Sequence, residues 1–88
     1  MLTITVYSQP NCVQCNATYR TLDKADLDYE VVDVAPGTEA HAFITGLGHL
    51  RAPIVVVREA GEVVDSWSGF NPDKLAEWMP KIPALVAT

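Results

Sequence analysis

Polar and apolar residues alternate at the start of the chain. Leu2, Ile4 and Val6 stand between Thr3, Thr5 and Tyr7, a period-two run that predicts a strand. Pro10 and Asn11 interrupt it, and Asn11 is a candidate cap for a following helix. From Cys12 to about Asp26 the period lengthens to that of a helix, with Cys15, Tyr19, Leu22 and Ala25 on one face. "DYEVVDV", Asp28 to Val34, predicts a second strand. "APGT" breaks the pattern and leaves Thr38 as an N-cap. Ala40, Phe43, Ile44 and Leu47 then form a helical stripe that should end at Gly48.

"HLRAP" reads as a loop. "IVVV", Ile54 to Val57, is apolar without alternation, the pattern of a central strand covered on both faces. "EAGE" is a turn, so Ile54 to Trp67 predicts a β-hairpin. "NPDK" opens a last helix, with Asn71 as cap and Pro72 at its first position. Leu75, Trp78 and Met79 should face the sheet, and Pro80 and Pro83 should stop the helix. The expected layout is one domain over residues 1–80 and a tail over 81–88. Its order, β-α-β-α-β-β-α, implies a parallel first pair with a right-handed crossover. A mixed sheet with helices on both faces follows, in the α/β class.

Composition narrows the possible functions. The 88 residues are 49% hydrophobic and 19% charged, as in a folded domain rather than a disordered one. The net charge is −5, and no basic run suits a phosphate backbone, so no nucleic-acid partner is expected. The first residues lack a basic segment and an apolar core, so no signal peptide is expected. No apolar run approaches membrane-spanning length. The expected compartment is a reducing cytoplasm, where a C-x-x-C pair is more often catalytic or metal-binding than structural.

Both cysteines of the chain lie in "SQPNCVQCNAT". A spacing of three turns a helix by about 300°, which sets Cys12 and Cys15 nearly on one face, one turn apart. Cys12 falls at the first turn, where unpaired N–H groups and the positive end of the macrodipole favour a thiolate. Cys15 lies one turn in, where burial favours the neutral thiol. These positions suit Cys12 to attack a substrate disulfide and Cys15 to resolve the mixed disulfide. A disulfide between them closes too short a loop to staple the fold. Two alternatives compete with this redox reading. The thiols are unreactive helix residues, or they are half of a metal site completed by His41 and His49. The two histidines are eight apart, wider than common zinc pairs. An iron–sulfur cluster would need thiols from elsewhere.

"CVQC", "APIVVV" and "WSGFNP" together resemble the NrdH-redoxins, small glutaredoxin-like members of the thioredoxin fold. The resemblance runs from Leu2 to about Trp78 and implies a four-stranded mixed sheet flanked by three helices. It implies a thiol–disulfide oxidoreductase with no bound cofactor and a redox-active Cys12–Cys15 disulfide. It also implies a monomeric electron donor to the large subunit of a class Ib ribonucleotide reductase, itself reduced by NADPH-dependent thioredoxin reductase. Pro53 matches the family's cis-proline, which offers backbone hydrogen bonds to an incoming peptide; cis X–Pro bonds are otherwise a minority state. Ala52, Trp67, Ser68, Gly69 and Phe70, with Val13 and Gln14 between the cysteines, are the implied partner-binding residues.

Two positions depart from the family pattern. Gln9 stands where a lysine is frequent, which leaves Cys12 more dependent on the helix terminus. Asn71 stands where an arginine usually ties down the loop, and caps the last helix instead. Several residues keep two readings. Trp67 packs in the core or meets the partner. Arg51 lends positive charge to the thiolate or is a solvated loop side chain. Tyr7 flanks the thiols or packs on the sheet, and Gly69 allows close approach or a positive φ. The functional alternatives are a glutaredoxin dependent on glutathione or another small thiol, and a metal- or cluster-binding module. Against glutathione, "CVQC" lacks the Pro-Tyr centre. "SGFNPDK" also lacks the glycine pair with aspartate, although Asp73 is near.

Overall fold

The computed structural model describes residues 1–82. Its elements are β1 (Leu2–Ser8), α1 (Val13–Lys24), β2 (Glu30–Asp33), α2 (Glu39–Gly46), β3 (Ile54–Glu59), β4 (Glu62–Ser68) and α3 (Pro72–Trp78), then a 3-10 turn, Met79–Lys81. The four strands lie in the order β2-β1-β3-β4. β1 pairs parallel with β2 and antiparallel with β3, and β3 pairs antiparallel with β4. This is the thioredoxin fold, with the element order that the residue pattern predicts.

Each face of the sheet has its own core. Ile4, Val6, Val55, Val57 and Trp67 pack with Leu22, Leu27, Leu75 and Ile82, against α1 and α3. Tyr7, Ile54 and Val56 pack with Val34, Ile44, Phe43 and Leu47, against α2. The unbroken "IVVV" run follows from this arrangement: β3 is central, and alternate residues enter opposite cores. Each of the four is 0% exposed. β1 is central too, so its alternation sorts side chains between two cores rather than between core and water. Thr5 and Tyr7 are buried, and the Arg58 guanidinium donates to their hydroxyls at 3.0 and 2.8 Å. Tyr7 thus packs on the sheet beside Phe43, with ring centroids 5.6 Å apart.

The helix ends show where local chemistry departs from the simple pattern. Cys12, not Asn11, is the N-cap of α1. Asn11 instead makes the turn out of β1 at φ +59°, a conformation asparagine tolerates. Cys12 is then extended, and its Sγ accepts the Cys15 N–H at 3.1 Å. The buried face of α1 is Cys15, Thr18 and Leu22, with Tyr19 half-buried. Ala25, expected on that face, is exposed because it is the C-cap. Thr18 tolerates burial because its hydroxyl returns to the Gln14 carbonyl at 3.0 Å.

α2 ends as expected. Leu47 caps it, Gly48 has φ +91°, and His49 N–H reaches back to the Ile44 carbonyl. α3 is capped by Asn71, whose side chain accepts the Lys74 N–H at 3.1 Å, with Pro72 at its first position. Trp78 and Met79 are half-buried against the core that encloses Leu75. Beyond residue 80, Lys81 closes the 3-10 turn and Ile82 is buried in the α1–α3 core. Pro83 and the rest of the expected tail lie outside the described residues.

Candidate active site

The strand register gathers four chain segments on one edge of the sheet. Ser8 ends β1 opposite Asp33, which ends β2; Tyr7 faces Ile54, which starts β3; and Ile54 faces Ser68, which ends β4. The segments leaving this edge are Gln9–Cys12, the chain after Asp33, the approach to Pro53, and the loop after Ser68. Adjacent strands are about 4.8 Å apart, so "CVQC", "AP" and "SGFN" become neighbours through topology alone.

Cys12 and Cys15 are joined in a disulfide, with 5.2 Å between their Cα atoms. The two sulfurs differ in surroundings. Cys12 is half-exposed and sits in the capping position of α1, taking a backbone N–H. Cys15 is 1% exposed. A sulfur at a helix N-terminus gains from the N–H groups and dipole there when it carries negative charge. No acidic residue in the first turn of α1 opposes that gain. Gln9 and Arg51 are both exposed, and Arg51 forms no ion pair among the described residues.

The Ala52–Pro53 bond is cis and Pro53 is buried. Pro53 has no N–H, and its carbonyl already accepts the Gly69 N–H at 2.8 Å. Neither backbone group of Ala52 has a hydrogen-bond partner among the described residues. Both backbone groups of Ala52 are therefore open at this corner, beside the second lone pair of the Pro53 carbonyl. Arg51 contributes its carbonyl to the Ser68 hydroxyl, which braces the same corner.

Gln14 lies on the exposed side of α1 and accepts the Phe70 N–H on its side-chain oxygen at 2.9 Å. This bond ties the motif to the loop after β4. Gly69 has φ +87°, and a Cβ there would stand 3.1 Å from that same oxygen. Both readings of Gly69 thus hold, positive φ and close approach. No spacing rule connects Gln14 to Phe70, and the contact had no signal in the sequence. Val13, 79% exposed, and Phe70, 37% exposed, leave apolar surface on the two segments joined by this bond. Trp67 goes to the core: it is 6% exposed, and its indole nitrogen has no hydrogen-bond partner among the described residues.

The loop is also held from behind. Asp65 on β4 accepts from Lys74 Nζ at 2.7 Å, Trp78 Nε1 at 2.8 Å and the Ser66 N–H at 2.8 Å. Burial pushes the Asp65 carboxyl up, but these three donors outweigh it and hold the carboxyl below its ordinary range. The same bond raises the Lys74 ammonium above its ordinary value. Asn71, as the cap of α3, and this Asp65 cluster join β4 to α3 across the loop.

Among the described residues no three histidine, cysteine or acidic side chains come together as metal ligands. His49 instead makes a 2.9 Å hydrogen bond between Nε2 and the Ser66 hydroxyl. No helix among the described residues is long and apolar enough to cross a membrane.

The glutaredoxin family model matches residues 4–62, which include both cysteines and Pro53. The Escherichia coli glutaredoxin-like protein NrdH is 36% identical over 77 residues, covering 88% of this chain and 89% of the relative. The chain belongs to the glutaredoxin family, among its NrdH-redoxins. The solved structure of the Escherichia coli NrdH-redoxin, described for its thioredoxin-like activity profile, matches with a TM-score of 0.72 at 36% identity. That match covers 85% of this chain and 92% of the other. Fasciola hepatica thioredoxin superposes with a TM-score of 0.73 at 23% identity, over 93% and 81% of the two chains, and so supports the fold alone. As an NrdH-redoxin the chain is a thiol–disulfide oxidoreductase, and Cys12–Cys15 is its C-x-x-C pair.

Proposed function

We propose that this redoxin is a cytoplasmic dithiol donor to the large subunit of a class Ib ribonucleotide reductase, reduced in turn by NADPH-dependent thioredoxin reductase. The observation that carries the thiol chemistry is the unequal setting of the two sulfurs: Cys12 is half-exposed at the helix cap, and Cys15 is buried behind it. The Cys12 thiolate attacks one sulfur of the substrate disulfide, forming a mixed disulfide and expelling a substrate thiolate. Cys15 then attacks Cys12 Sγ, expels the second substrate thiolate and closes the internal bond. Two electrons pass to the substrate. The buried polar side chains among the described residues are Thr5, Ser8 and Thr18, and none is a carboxylate. The substrate thiolate expelled first takes up the Cys15 proton.

Membership among the NrdH-redoxins supports a redox-partner role, and the thioredoxin-like profile described for the Escherichia coli protein supports the reductase. The unpaired backbone groups of Ala52 and the apolar side chains of Val13 and Phe70 offer a surface to either protein, with Ser68 and Gly69 shaping the loop beneath them. The test is NADPH oxidation with thioredoxin reductase, coupled to ribonucleotide reduction by a class Ib enzyme. Turnover in both stages is expected. Turnover only with glutathione and glutathione reductase would replace this reading with a glutathione-dependent glutaredoxin.

A further inference from the structure

Where the chain leaves β1 and β2 the surface opens into a cleft of about 310 Å3, lined by Gln9, Pro10, Asp33, Val34, Ala35 and Pro36. Asp33 is the only charged residue among them and is exposed. The volume is at the low end of small-molecule sites, which suits one long side chain better than a cofactor. Pro10 is two residues before Cys12, so their Cα atoms are at most about 7 Å apart. An extended partner segment advances about 3.3 Å per residue, and a residue two or three places from the attacked cysteine reaches the cleft.

The strand order makes the edge polar. Asp33 ends β2 on one flank of the β1 end, and Arg51 approaches β3 on the other. The prolines and Val34 offer apolar wall for the stem of a long cationic side chain, and Asp33 offers the opposite charge. We propose that this cleft is a specificity subsite for a lysine or arginine two or three residues from the target cysteine of the partner. The proposal rests on disulfide exchange at Cys12, but not on the identity of the partner.

The experiment uses pre-reduced protein and peptides that carry a disulfide, with Lys, Gln or Glu at the second and third positions on either side of the attacked cysteine. At low ionic strength the Lys peptide on one flank is expected to react roughly two- to fivefold faster than its Glu counterpart, the range of an exposed charge pair. Salt should shrink the ratio. Asp33→Asn should bring the ratio near one, and Asp33→Lys should invert it. Glu62→Gln makes the same charge change at the far end of the sheet, and the ratio should survive it. Equal rates for all peptides with wild-type protein, or a ratio that survives Asp33→Asn, would overturn the subsite alone. Failure to reduce any peptide would instead overturn the exchange reading beneath it.

Discussion

The side-chain oxygen of Gln14 accepts the Phe70 N–H at 2.9 Å, bridging 56 residues of sequence. One end lies between the two cysteines, and the other lies in the loop that presents Phe70. Gln14→Ala removes the acceptor and frees the loop. A stability loss of about 0.5–1.5 kcal/mol is expected, the net value of one hydrogen bond. With thioredoxin reductase as partner, KM should rise more than kcat falls, because docking surface rather than sulfur chemistry is disturbed. Gln14→Glu retains an acceptor and should restore most of the stability. Denaturant unfolding and steady-state kinetics of the three proteins check this.

Gly69 makes a second, independent demand on the same contact. Its φ of +87° strains any L side chain, and a Cβ would meet the Gln14 oxygen at 3.1 Å. Gly69→Ala should cost about 1–2 kcal/mol from the backbone alone. The combined Gly69→Ala, Gln14→Ala protein should lose less than the sum of the single losses, because the second change removes the crowded atom. A full sum in a double-mutant cycle would show that the two residues do not interact.

Much of this arrangement is legible in the residue pattern. β1 follows from period-two alternation, β3 from its unbroken apolar run and the helices from helical spacing, and Thr38, Gly48, Asn71 and Pro72 mark helix ends through local capping chemistry. The cysteine pair was legible because a C-x-x-C at a strand-to-helix junction carries its own physical rationale. Thr18 was not, since a threonine in a helix gives no sign that its hydroxyl will satisfy itself on the backbone. Asn11 was misplaced as the cap because sulfur is an uncommon cap and asparagine a common one. The Gln14–Phe70 bond and the place of Asp33 opposite Ser8 depend on strand order, which no local pattern contains.

Acid should release the clamp behind the loop. The Asp65 carboxyl is held below its ordinary pKa of 3.8, because the Lys74, Trp78 and Ser66 donors outweigh its burial. The stability it contributes is full above the unfolded-state value and is lost as pH falls through the lower folded-state value. Thermal unfolding between pH 6 and about pH 2 should show a drop beginning near 3.8. Asp65→Asn should lower the melting temperature at neutral pH and flatten that acid limb. An unchanged acid limb in the variant would assign the drop to other carboxylates.

Alkali should act through Tyr29. Its hydroxyl donates to Asp23 at 2.8 Å, and burial, that bond and the Asp23 charge push its pKa from 10.0 up to about 12. A group raised in the folded state contributes stability below its unfolded value and loses it as pH rises through the folded one. The loss should therefore run from pH 10 to about 12, and Tyr29→Phe should remove it. Absorbance titration of the phenolate in the wild type and in Tyr29→Phe, alongside unfolding at each pH, assigns the loss to this tyrosine.

The role assignment at the disulfide is tested by changing one sulfur at a time. Cys12→Ser removes the half-exposed sulfur that caps α1, and disulfide reduction should fall to the uncatalysed rate. Cys15→Ser leaves attack intact but removes the resolving thiol, so a mixed disulfide with the partner should accumulate one to one. Mass spectrometry of the quenched reaction identifies it, and dithiothreitol should release it. Serine at position 12 keeps a capping oxygen for the Cys15 N–H, so loss of activity there cannot be put down to loss of the helix start. Trapping through Cys15 in the Cys12→Ser protein would reverse the two roles. It would require the sulfur now 1% exposed to reach solvent, and hydrogen exchange at the start of α1 would register that opening.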